Sequence, residues 1–79
     1  MKIVLKAAVA HAKDAALAAA THLEIATEDG GWFLMRYGAD GALLADTWHM
    51  SSQEAAEQAS SEYDLEAWQE TARGSEGQR

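Results

Sequence analysis

The sequence contains no cysteine. Disulfides are therefore excluded, and so is a zinc site built on thiolates. No apolar run approaches the roughly 20 residues that a helix needs to cross a bilayer. Basic charge is also scarce. Six Lys and Arg stand against 13 Asp and Glu, for a formal net charge of −7. General nucleic-acid binding needs a basic footprint and is excluded on that ground. Motifs of catalysis and phosphate binding are missing too. The glycines at 30–31, 38 and 41 form neither G-x-G-x-x-G nor a loop followed by Gly-Lys-Ser/Thr. No serine sits in G-x-S-x-G, there is no His-x-x-x-His pair, and no internal repeat is found.

Large apolar side chains are few. The apolar share is 48%, but it includes 18 alanines. A buried alanine removes little area from water, at about 25 cal/mol per Å². A chain of 79 residues makes one small domain, and a core of this volume is marginal for it. Self-association is the expected further source of stability. Trp32, Trp48 and Trp68 fit that expectation as interface anchors, and they fit equally as core fillers among small neighbours.

The charge that is present is uneven. Residues 1–26 carry three lysines against Asp14 and Glu24, while residues 27–79 carry three arginines against eleven acids. The acidic part favours solubility and repels polyanions. Lys2, Lys6 and Lys13 read as a solvated face rather than a basic stripe. At the N-terminus, MKIVLKAAVAHA has the lysine and small residues of a signal peptide, but Lys6, His11, Lys13 and Asp14 break its apolar run. The expectation is a cytoplasmic protein with no membrane association.

Residues 2–5 fit either a short strand or the start of a helix. From Lys6 to about Ala20 the chain is alanine-rich, without glycine or proline. Leu5, Val9, Ala12, Ala16, Ala19 and Leu23 recur at helical spacing, which predicts an amphipathic N-terminal helix with a thin stripe. Leu23, Ile25 and Thr27 then alternate with polar residues, as a strand would, although the helix could run on through Leu23. Glu28-Asp29-Gly30-Gly31 reads as a turn.

The clearest element is GWFLMRYGADGALLADTW. Two apolar runs flank an Asp-Gly turn, a strong hairpin signal. A three-residue loop with a glycine bulge would put Trp32, Leu34 and Arg36 on one face with Leu44, Asp46 and Trp48. Phe33, Met35 and Tyr37 would share the other with Leu43, Ala45 and Thr47. Both faces carry large apolar groups, so the hairpin needs cover on both sides. Ser51 and Glu54 then have the spacing of a capping box, with Met50 placed to pack on Ala55. The helix is expected from Ser52 to about Tyr63, with Ala56, Ala59 and Tyr63 inward and Glu54, Glu57 and Glu62 toward water. Leu65 and Trp68 read as anchors that fold the chain back. The expected domain spans residues 1–73, and 74–79 read as a disordered tail.

From Trp32 to Trp68 the chain resembles a set of small bacterial proteins without a known activity. The matching residues are GWFLMRYGADG, ADTWH, SSQEAAEQASSEY and a later tryptophan. The Asp-Thr-Trp-His block is the most specific of these. The resemblance covers about half of the chain and implies a hairpin followed by a helix. It implies no catalytic role.

These features together predict an α+β domain: a small antiparallel sheet of two or three strands, an N-terminal helix and a C-terminal helix. The expected function is that of a non-enzymatic protein-interaction module, a homodimer or the partner of another protein. Trp32, Leu34, Leu44 and Trp48 are its candidate anchors, and no cofactor is expected. One alternative is a metal-binding protein or enzyme using Asp46 and His49, with His11 or His22 as a further ligand. Its blander counterpart pairs Asp46 with Arg36 and leaves His49 at a junction. Ser51 and Ser52 beside His49 read as a helix start, not as a nucleophile. Another alternative is an antitoxin- or immunity-like inhibitor of a basic partner.

Overall fold

The computed structural model describes residues 1–71. Its N-terminal segment is a strand, not the expected helix: β1 spans Lys2–Ala12. The period is two. Leu5, Ala7 and Val9 turn to one face, while Lys6, Ala8 and Ala10 turn to the other and are exposed. The physical reason lies in pairing. Alanine's helix propensity is worth only tenths of a kcal/mol per residue, and tertiary contacts override it. A helical stripe of alanines would bury little. As a strand the segment is hydrogen-bonded along both edges.

A single 3-10 turn, Ala15–Leu17, follows, capped by the Asp14 carboxylate accepting from Ala16 N at 2.9 Å. Strand β2 then runs Ala20–Glu28 and β3 runs Gly31–Gly38. Glu28 pairs with Gly31, so Asp29 and Gly30 form the loop, with φ of 53° and 80°. Two positive φ values in succession make the turn whose twist suits a hairpin.

Strand β4 spans Leu43–His49. The expected loop is present: Gly38 N donates to Ala42 O, and Gly41 has φ 84°. The expected register is not. Tyr37 pairs with Leu43, but Arg36 pairs with Ala45, so Leu44 is an extra residue. One inserted residue exchanges the faces of everything beyond it. Thr47 therefore joins Leu34 and His49 joins Trp32 on the inner face, while Asp46 joins Met35 and Trp48 joins Phe33 outside. Without the bulge Asp46 would point into the core beside Leu34. With the bulge Thr47 takes that place, and its hydroxyl accepts from Arg36 Nη1 at 3.3 Å.

Helix α1, Ser52–Glu62, crosses the inner face. Ser51 Oγ accepts from Glu54 N at 3.1 Å. The Glu54 carboxylate reaches Met50 N at 2.9 Å rather than Ser51. Met50 is exposed and makes no staple, and the buried helix residues are Ala55 and Ala59. These alanines let the helix approach Leu23, Ile25 and Leu34, which are fully buried and fill the core with Tyr63. Glu62, expected in water, is largely buried against Arg36.

The chain returns along the free edge of β1 as β5, Tyr63–Leu65, and β6, Gln69–Glu70. Leu65 and Trp68 pack on the rim of the core. The sheet order is β4-β3-β2-β1-β5, with β6 also on β1. Among the described residues the fold is thus a six-stranded antiparallel sheet with one short α-helix on one face. The expected two or three strands between two helices are overturned by the strand at Lys2–Ala12 and the returning edge. The tail expected at residues 74–79 lies outside the described residues.

Candidate functional site

Helix α1 covers only the inner side of the sheet. On the other side the pairings of β1 to β4 align three rows of side chains. The first row is Ile3, Ala26, Phe33 and Trp48; the second is Lys6, Glu24, Met35 and Asp46; the third is Ala8, His22, Tyr37 and Leu43. Among the described residues no helix or strand lies over these rows. Trp48 is 58% exposed and Leu43 48%. Phe33, Met35, Tyr37 and Ile3 are half-buried, and Ala26, between Ile3 and Phe33, is fully buried. Trp48 lies against Gly31, where a Cβ would collide with the indole.

The rings of His22 and Tyr37 stack at 4.9 Å, inclined by 7°. Burial pushes the Tyr37 phenol above its ordinary range, and the nearby Glu24 carboxylate pushes it further the same way. Tyr37 therefore stays neutral at physiological pH. A partly exposed aliphatic and aromatic row thus lies beside a charged row.

A polar cluster lies on the inner side. The Arg36 guanidinium is buried and makes a two-pronged pair with Glu62, at 2.8 Å from Nε and 2.9 Å from Nη2. Hydrogen bonding by Arg36 holds the Glu62 carboxyl below its ordinary value. Arg36 Nη1 also donates to Leu34 O and to Thr47 Oγ1. Thr47 Oγ1 is 2.7 Å from His49 Nε2, and His49 Nδ1 is 3.7 Å from Glu54 Oε1. A hydroxyl, an imidazole and a carboxylate in line invite a nucleophilic reading. The geometry argues against it. The carboxylate is beyond hydrogen-bond reach of the ring and already accepts from Met50 N. The cluster ties the edge strand to the helix.

The residues singled out from the sequence are dispersed. Leu34 is fully buried, and Trp32 packs on the core. Leu44 borders a cavity of about 230 Å³ with Leu17, Arg36 and Tyr63. Only Trp48 reaches the open face. Asp46 and His49 point to opposite faces of β4, and Asp46 does not pair with Arg36. His22 stands on the open face, and His11 pairs with Asp64 at the β5 edge. Among the described residues no three His, Cys, Asp or Glu gather as metal ligands. The open-face residues Phe33, Met35, Tyr37 and Leu43 were grouped correctly by alternation. Ile3 falls in residues 2–5, which the pattern leaves open between strand and helix, and its pairing to Ala26 joins it to this face.

Comparison with protein-family models, with curated proteins and with solved structures finds no match for this chain.

Proposed function

We propose that the chain is a non-enzymatic protein-interaction module that associates with a second copy of itself through the open face of its sheet. The observation that supports this reading is the row Ile3, Phe33 and Trp48 on the side away from the only α-helix of the described residues. A sheet meant to face water on one side alternates apolar with polar residues. Here the outer positions of β3 are Phe33, Met35 and Tyr37. Covering them removes apolar surface from water at about 25 cal/mol per Å². The scarcity of large core residues gives a reason for that burial to occur between chains. No helix of the described residues is long and apolar enough to cross a membrane.

Sedimentation velocity over a wide concentration range tests the reading. A concentration-dependent dimer is expected, and Trp48→Glu is expected to sediment as a folded monomer. A wild-type chain that stays monomeric throughout, or a Trp48→Glu variant that dimerises as before, overturns it.

A further inference from the structure

The open face complements itself, and its charges select one way of doing so. This inference rests on the self-association reading above. Two arrangements stack one sheet on another with aligned strands and a twofold axis in the contact plane. If the axis runs across the strands, each strand lies over its own copy. The central row then sets Lys6 on Lys6, Glu24 on Glu24 and Asp46 on Asp46, all like charges. If the axis runs along the strands between β2 and β3, β1 lies over β4 of the second copy and β2 over β3. Each row then meets itself reversed. Lys6 faces Asp46, and Glu24 faces Met35. Ala8, small and exposed, faces the large Leu43. Ile3 faces Trp48, and the His22 ring faces Tyr37.

We infer that two copies pack face to face about this second axis, with Lys6 of each copy paired to Asp46 of the other. Inclining the axis by about 15° to the strands gives the roughly 30° crossing of aligned sandwiches. The arrangement is isologous and closes at two copies. Like charges directly opposed are destabilising and opposite charges are stabilising, so the centre of the interface discriminates between the two packings. Four strands about 4.8 Å apart and about six residues deep give a plane on the order of 400 Å². That is a small interface beside the ~800 Å² per partner of standard ones, so a dissociation constant in the micromolar range is expected.

The test uses charge exchange. Lys6→Glu places two carboxylates at each end of the central row, and Asp46→Lys places two ammonium groups there. Each single variant is expected to dissociate at least tenfold more readily than the wild type. An equimolar mixture of the two is expected to associate, because both end contacts of the central row in the mixed dimer are again of opposite sign. A second measurement uses Ala8→Cys with Leu43→Cys in one chain. Within a chain these positions are three strand spacings apart, about 14 Å, too far for a disulfide. Oxidation is expected to link the chains in pairs. If the single variants dimerise like the wild type, or neither the mixture nor the cysteine pair associates as described, this packing is overturned. A Trp48→Glu variant that is monomeric at the same time leaves the open face standing as the docking surface. A Trp48→Glu variant that still dimerises removes both readings.

Discussion

The indole of Trp48 lies across the bare Cα of Gly31. The two residues face the same side of neighbouring strands, one diagonal step apart. Glycine in a strand leaves a gap, and an aromatic ring on the adjacent strand fills it. The contact holds the indole flat on the sheet while leaving it 58% exposed. Gly31→Ala forces the ring away, since the new methyl group would occupy its position. The expected result is a shifted tryptophan emission and at least a fivefold weaker self-association. Fluorescence and sedimentation on the same samples check both.

Leu34 and Trp48, which the sequence presents as similar anchors, are expected to part on substitution. Leu34 is fully buried beneath the helix. Leu34→Ala should cost about 3 kcal/mol of folding stability, the transfer of its atoms plus a cavity. Trp48→Ala should cost under about 1 kcal/mol, as at an exposed position. Urea denaturation at a concentration where the chain is monomeric separates them.

Breaking the Arg36–Glu62 pair on one side only is expected to be severe. Arg36→Met leaves the Glu62 carboxylate largely buried without its cation. A loss of about 3 kcal/mol is expected, as for other buried pairs broken by removing one partner. Replacing both, as Arg36→Met with Glu62→Leu, should recover most of it. A double-mutant cycle from denaturation midpoints checks the coupling.

Acid should weaken the fold through the same pair. The folded-state Glu62 carboxyl titrates below its ordinary 4.5, chiefly because Arg36 hydrogen-bonds its charged form. A depressed carboxyl contributes stability that is complete above the unfolded value and lost as pH falls through the folded one. The melting temperature is therefore expected to fall on acidification below about pH 4.5. Glu62→Gln should be less stable at neutral pH and show a flatter acid limb.

Removing the helix cap tests the junction of β4 and α1. Ser51→Ala leaves Glu54 N without its acceptor. A loss of about 1 kcal/mol is expected, read from thermal or urea unfolding. Self-association at concentrations where the chain stays folded should be unchanged, because Ser51 is off the open face.

Much of the architecture is local and was legible. Asp29-Gly30 and Asp40-Gly41 carry the turn chemistry of the two hairpins, and Ser51 with Glu54 marks the helix start. Alternation along Trp32 to Tyr37 sorted the two faces of β3 correctly. The absence of cysteine by itself rules out thiolate chemistry.

Two decisions belonged to the tertiary structure alone. An alanine-rich segment such as Lys2–Ala12 fits a 3.6-residue period and a 2-residue period about equally, because alanine marks neither face strongly. Pairing with β2, β5 and β6 settles it as a strand, through hydrogen bonds to residues far along the chain. The extra residue at Leu44 is equally invisible to local pattern, since Leu43 and Leu44 are alike. Only the competition between Asp46 and Thr47 for the place beside Leu34 and Arg36 fixes the register, and with it which tryptophan meets the solvent.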